Sequence, residues 1–367
     1  MTGAARTETN KITVVFLLYH APRFVAGLVD AVRRQRHPRF AEAADWLRVM
    51  FMDNGSTDDT GARLAEAVRE AGAPPHWSIV TNMPNLGYAG AVNKAFALAD
   101  TPYALTCHCD CLFGSDDYLA TMLDLMERHP RAAAITGQPA VPADKPLPFA
   151  EKANLVANLM DLFPVATADE LVPVGFAEGR CDVFRLEAVR AAGGYDTSHH
   201  SAGEDQILSG RMRAAGYEVF QAPGLRYLLS VSDEQDTVGK LVRHTELFGE
   251  KHPILILRGG ARAGAMGGPA GANRRARSLL RVSHLASVAA FAVLAIGLLA
   301  GISPWLAALP LVAVAVLKAW LFAPYLGIVR FTPSEAVRFA LLVPVLDFAY
   351  AWGFLRGLVY ALRGRWR

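Results

Sequence analysis

A chain of 367 residues is long enough for one large domain or two ordinary ones, and a 52% hydrophobic content is high for a purely soluble protein. The net charge of +3 hides a polarity: from Arg258 onward 13 Lys and Arg face only Glu335 and Asp347, whereas the first 257 residues carry 32 acidic and 24 basic side chains. The C-terminal arginines flank apolar runs instead of lining a polar surface, which argues against a nucleic-acid partner and for a membrane anchor beside a soluble body.

Residues 1–10 are polar, carry no signal-peptide pattern and are expected to be disordered. ITVVFLLYH, from Ile12, is a continuous apolar run ending in polar residues, as in a strand buried on both faces, and PRFVAGLVDAVRRQ follows with helical spacing. LRVMFMDNGSTDDTGARLAEAVREAG, from Leu47, repeats strand, polar turn and helix, with N-cap chemistry in its Ser-Thr-Asp-Asp cluster. WSIVTNMPNLGYAGAVNKAFALA adds a third strand, loop and helix, and YALTCHCDCLF a fourth strand followed by a helix from about Asp116. This alternation predicts a parallel, doubly wound sheet whose ligands bind beyond the carboxyl ends of the strands, where DNGSTD, NLGYAG and CHCDC all fall.

Residues 140–178 are irregular, with one amphipathic stretch, EKANLVANLMDLF. GRCDVFRLEAVRAAGGYD reads as strand, short helix and glycine turn, and GEDQILSGRMRAAGYEVFQAP as a helix opening on an acidic pair and returning as a strand. A basic Gly/Ala-rich linker is expected over 258–281, and a membrane region over 282–367. Its first segment, 282–301, has no ionisable residue but His284 and would span about 30 Å, the thickness of a bilayer core. The second, 305–327, contains Pro310 and Lys318; the loop between them is short enough only for a tight hairpin. Arg274, Arg275, Arg277, Arg281 and Arg330 put both hairpin ends on the cytoplasmic side. The third segment, 339–362, holds Asp347 and Arg356, which leaves open whether it spans, re-enters or lies in the interface.

VMFMDNGSTDDT, NLGYAGAVNKA, LTCHCDCLF, GGYD and AGEDQILSGRMRAAGY occur in that order, and the series resembles the motifs of family-2 glycosyltransferases, inverting enzymes of the GT-A fold. The resemblance covers roughly residues 10–225. It implies a mixed, mostly parallel α/β sheet with helices on both faces, a catalytic domain over 11–257, and C-terminal helical membrane segments. By the same resemblance Asp53 faces the base and ribose of a nucleotide, with Asp58 in support, and Asn85 and Gly87 match an Asn-x-Gly loop. Asn93 and Lys94 on the following helix are candidate nucleotide contacts; a solvated helix face is the alternative for Lys94.

The family's Asp-x-Asp, which holds Mg²⁺ or Mn²⁺ against the donor diphosphate, is here His108-Cys109-Asp110. Asp110 remains as metal ligand, and His108 either binds the metal or hydrogen-bonds the phosphate. Strand alternation would turn Cys107, Cys109 and Cys111 away from that face, as core thiols, against a zinc reading of the cluster. The three lie within five residues and only Cys181 stands elsewhere, which is no disulfide framework and suits a reducing compartment.

Asp205 matches the family's base position, with Glu204 beside it, although two acids at a helix start are also ordinary helix charges. Arg211, nearly two turns on, is an acceptor or phosphate candidate, with a plain surface arginine as the alternative. KLVRHTELFGEKHP resembles the segment by which such enzymes approach the membrane, and it lacks the Gln-x-x-Arg-Trp signature of processive synthases.

The expectation is an inverting hexosyl- or deoxyhexosyltransferase anchored in a bacterial-type inner membrane. Its catalytic domain faces the cytoplasm and moves a sugar from a nucleotide sugar to a lipid-linked or cell-surface glycan acceptor. A polyprenyl-phosphate sugar synthase and a non-catalytic nucleotide-sugar-binding membrane protein are the alternatives.

Overall fold

The computed structural model describes residues 11–142, 147–159, 170–177, 179–197, 203–229, 237–257 and 272–363. The N-terminus expected to be disordered, and residues 258–271 of the expected linker, lie outside them. In chain order the elements are β1 (Ile12–Leu18), α1 (Val25–Arg33), β2 (Leu47–Asp53), α2 (Thr60–Glu70), β3 (Trp77–Thr81) and α3 (Gly87–Leu98). They continue with β4 (Tyr103–His108), β5 (Cys111–Phe113), α4 (Tyr118–Arg128), β6 (Ala132–Ala140), α5 (Phe149–Ala157), β7 (Val172–Pro173) and β8 (Cys181–Arg185). Then follow α6 (Leu186–Ala191), α7 (Glu204–Ala214), β9 (Glu218–Leu229), α8 (Val238–Leu257), α9 (Ala272–Leu299), α10 (Pro304–Ile328) and α11 (Pro333–Leu362). The chain divides into two units. One comprises 1–140, 164–200 and 204–230; the other comprises 141–163, 201–203 and 231–367. The division differs from a single catalytic block over 11–257, because α5 and α8 group with the C-terminal helices.

The first unit is built on a mixed sheet of order β3-β2-β1-β4-β8-β6-β9-β5, with β7 paired to β9. β1, β2, β3 and β4 are mutually parallel, as the βα alternation predicts. Antiparallel pairings of β8 with β4 and β6, and of β5 and β7 with β9, make the other half mixed. β1 is apolar but for Thr13, whose hydroxyl hydrogen-bonds that of Thr101, because it is central and covered on both faces: Ile12, Val14, Val15, Phe16 and Leu18 are all buried. Register aligns Leu18 with Asp53 and Leu17 with His108, so β1, β2 and β4 end along one edge.

In the second unit, residues 272–281 belong to α9 and are not linker. Among the described residues, three helical segments are long and apolar enough to cross a membrane: Ala276–Leu299, Pro304–Ile328 and Pro333–Leu362. Thr332-Pro-Ser-Glu335 starts α11 with a capping box and a proline in its first turn. Two groups of ionisable residues in these helices are paired. Asp347 Oδ1 accepts from Lys318 Nζ at 2.5 Å and lies 2.6 Å from His284 Nδ1, which joins α9, α10 and α11. Arg356 donates to Glu246 and Glu250 on α8. α8 and α11 approach through glycines: a Cβ on Gly353 would lie 1.9 Å from the Glu246 carbonyl oxygen, so no larger residue fits that crossing.

Candidate active site

The β2 and β3 turns are stitched together by one asparagine. Asn54, buried at the end of β2, donates to Asn85 Oδ1 at 3.0 Å and to the Gly87 carbonyl at 3.1 Å. Its own Oδ1 accepts from Asn82 Nδ2 and from the Leu86 N–H, both at 3.1 Å. Gly55 adopts a φ of +86°, and a Cβ there would lie 2.9 Å from the Asn85 nitrogen; the two loops therefore touch only because this residue is glycine. Asp53 is buried, and its Oδ1 accepts from the Ser56 N–H at 3.0 Å. Asp58 accepts from the Thr60 N–H and hydroxyl at 3.1 and 2.5 Å, which places it in the turn into α2. The β1 turn joins from the other side: His20 N–H donates to Ser56 Oγ at 3.0 Å, and Thr57 N–H to His20 Nε2 at 3.2 Å.

Lys94 Nζ donates to Asn82 Oδ1 at 2.7 Å, so this lysine braces the loop. Asn93 is a clamp as well: its amide donates to the Tyr195 carbonyl at 2.9 Å and accepts from the Tyr195 N–H at 2.8 Å.

β4 ends at His108, and Cys109 and Asp110 form the turn into β5. Strand alternation thus reaches Cys107 and His108 but not Asp110. Cys107 and Cys111 are buried in the sheet, and burial raises both thiol pKa values. Burial, and then the Asp110 carboxylate, push the half-buried Cys109 thiol up to about 12. All three are therefore thiols at neutral pH, not thiolates. His108 Nδ1 and Asp110 Oδ1 are 3.9 Å apart. Desolvation lowers the His108 pKa against the pull of Asp110, which keeps its imidazole neutral, the form that ligates a metal. No group of three or more metal-ligating side chains gathers among the described residues. A neutral imidazole beside a half-exposed carboxylate fits a divalent cation that would need further oxygen ligands from elsewhere.

Glu204 shares a cleft with Gly87, Tyr88, Gly90 and Thr197, which brings the start of α7 to the Asn-x-Gly loop. Tyr88 packs edge-on against His108 at 5.3 Å, and its hydroxyl donates to the Gly179 carbonyl at 2.8 Å. Burial, then the charge of Asp182, and after it those of Asp205 and Glu204, raise the Tyr88 pKa and keep the phenol neutral. Arg211 Nη2 donates to Asp196 Oδ2 at 3.3 Å, which ties α7 to the turn after α6.

The glycosyl transferase family 2 model matches residues 13–191. This stretch is a family 2 glycosyltransferase domain. The chain is 26% identical over 251 residues to an N-acetylglucosaminyl-diphospho-decaprenol L-rhamnosyltransferase of Mycobacterium tuberculosis, over 60% of this chain and 76% of that one. A teichoic acid poly(glycerol phosphate) polymerase of Staphylococcus epidermidis is 25% identical over 112 residues, 30% of this chain and 14% of its own. The fold matches a mannosyltransferase from Pyrobaculum calidifontis, solved with GDP-mannose and Mn²⁺, at a TM-score of 0.56 and 17% identity, over 94% of this chain and 87% of that one. The chain is thus a glycosyltransferase with a GT-A-like mixed sheet and three apolar C-terminal helices, as the motif order implied.

In this glycosyltransferase domain the parallel strands bring Asp53, the Asn85–Gly87 loop and the His108–Asp110 turn to one sheet edge. Asn93, Lys94, Asp58 and Arg211 hold neighbouring loops in the structure. Sequence reasoning missed Asn54, Asn82, His20 and Tyr88. The available signal was three asparagines at strand ends, at 54, 82 and 85. Asn54→Ala would strip four loop bonds, one buried and three part-buried, and a buried polar group left without its partner costs about 1–3 kcal/mol. The variant is expected to melt several degrees lower and to bind donor more weakly. A thermal melt and donor titration coinciding with wild type would show that Asn54 does not organise the loops.

Proposed function

We propose that this glycosyltransferase moves a sugar, with inversion, from a nucleoside-diphosphate donor to a hydroxyl of a lipid-linked acceptor at the cytoplasmic face of a bacterial-type inner membrane. The observation that carries the reading is the meeting of Glu204, at the start of α7 and next in the chain to Asp205, with the Gly87–Gly90 loop in one cleft. Asp53 and the Asn54-braced loop bind the nucleotide; Asp205 takes the proton of the acceptor hydroxyl as that oxygen attacks the anomeric carbon. The bond from that carbon to the diphosphate oxygen breaks, and the nucleoside diphosphate leaves with the electron pair. Asp110 and His108 would hold a Mg²⁺ or Mn²⁺ ion, which neutralises diphosphate charge when bound. The Mn²⁺ of the Pyrobaculum structure and the diphospho-decaprenol acceptor named for the mycobacterial relative support these assignments. The purified full chain, given each common nucleotide sugar and a polyprenyl-diphosphate-linked sugar, should release nucleoside diphosphate only with the matching donor and in proportion to acceptor. Release that ignores the acceptor would contradict the reading.

The topology has its own test. The arginines at 277, 281 and 330 flank the α9–α10 hairpin on one side, and Ser303 sits at its tip. Ser303→Cys should react with an impermeant maleimide from the face opposite the catalytic domain. Labelling from the catalytic face alone would refute the hairpin.

A further inference from the structure

Within the second unit a cavity of about 320 Å³ lies between α5 and α8. Lys240, Arg243 and His244 line it from one face of α8, at the i, i+3, i+4 spacing that puts side chains side by side. All three are exposed. Lys240 and Arg243 make no ion pair among the described residues; Glu151, mostly buried, is the one acid in the lining. Ala150 and Leu247 supply apolar wall. Two cations, a histidine and a single carboxylate leave a site that attracts an anion.

The place of α5 says what kind of anion. Its other face is fastened to the turn between α10 and α11. Lys152 Nζ donates to the Arg330 carbonyl at 3.0 Å and lies 2.9 Å from Glu335 Oε2, and Arg338 stacks over the Phe149 ring at 4.2 Å. α5 is thus a wall shared by the cationic cavity and the end of the two apolar helices. Those helices expose Trp305, Leu309, Val316 and Trp320 on α10, and Leu341, Val345 and Trp352 on α11. A charged recess one helix away from the end of an apolar surface matches an amphiphile, with an anionic head and a long apolar chain.

We propose that the α5–α8 cavity holds the phosphate head of the diphosphate lipid that carries the acceptor, its chain running along the apolar faces of α10 and α11. This rests on the reading of the acceptor as lipid-linked. The test uses the purified full chain in detergent and three probes: farnesyl diphosphate, farnesol and inorganic pyrophosphate. Farnesyl diphosphate should bind at least about ten-fold more tightly than either other probe, since only it offers both head and chain. Lys240→Gln with Arg243→Gln should weaken it by on the order of 10- to 100-fold, the scale of two lost charge-assisted contacts. Lys240→Arg with Arg243→Lys should stay within about three-fold of wild type, because charge is kept. Unchanged melting temperatures will show that the charge-free variant is folded. Wild-type affinity in that variant overturns the proposal, and pyrophosphate binding as tightly as farnesyl diphosphate overturns the lipid source. Binding needs neither donor nor turnover, so the two readings fail separately. A chain that binds the lipid diphosphate here and transfers nothing contradicts the glycosyl-transfer reading alone. A chain whose charge-free variant transfers sugar with an unchanged acceptor KM contradicts the cavity alone.

Discussion

Asp205→Asn is expected to keep donor affinity and to lose transfer by on the order of 10²-fold or more, the scale on which removing a general base acts. The amide keeps the shape of the carboxylate and its hydrogen bond from the Gln206 N–H, seen at 2.8 Å in the native chain, but cannot take a proton from the acceptor. Glu204 lines the cleft beside it, so Glu204→Gln is the control. If Asp205 is the base, Glu204→Gln falls less in kcat than Asp205→Asn. The measurement is single-turnover transfer with donor saturating, which separates chemistry from binding. A near-wild-type rate in Asp205→Asn would remove the base from this position.

The second large effect concerns the turn after β4. Asp110→Ala should cost at least about 10²-fold in metal-dependent donor affinity, because on the proposed reading its carboxylate would be the hard oxygen ligand in the turn after β4. His108→Asp should keep or strengthen divalent binding by adding a second hard oxygen. Replacing Cys107, Cys109 and Cys111 together by alanine should lower the melting temperature, since two of them fill the sheet, yet leave the metal titration unchanged. Calorimetric donor binding across a Mn²⁺ series reads all three. Loss of metal in the cysteine variant with retention in Asp110→Ala would turn the site into a thiolate centre.

The edge that carries these residues was legible because βα alternation leaves a parallel sheet few choices: turns following consecutive strands must share one edge. Asp53, Gly87 and His108 reach that edge through chain order alone. What each side chain does there was less legible. Lys94 and Asn93 sit on the expected helix, and the structure shows them bonded to Asn82 and Tyr195. Helical periodicity gives a face and not a partner. Asn54 was hidden by its neighbour Asp53: its importance depends on loops that meet across 28 to 33 residues of chain, which no local pattern encodes. The antiparallel strand β8 follows an irregular stretch whose glycines and prolines mark turns but not the direction of the next strand. Asp347 and Arg356 made the last apolar segment ambiguous in one dimension. Their partners, Lys318 and His284, and Glu246 and Glu250, come from other helices.

The central claim is inverting transfer at this sheet edge, and the stereochemistry of the product tests it most directly. The purified full chain should be supplied with its matching α- or β-linked nucleotide sugar and a lipid-linked acceptor, and the new glycosidic bond assigned by its anomeric proton coupling. Direct attack by an acceptor hydroxyl that Asp205 deprotonates predicts one anomer, opposite to the donor's, with the product lost in Asp205→Asn. A product that retains the donor configuration would contradict the account.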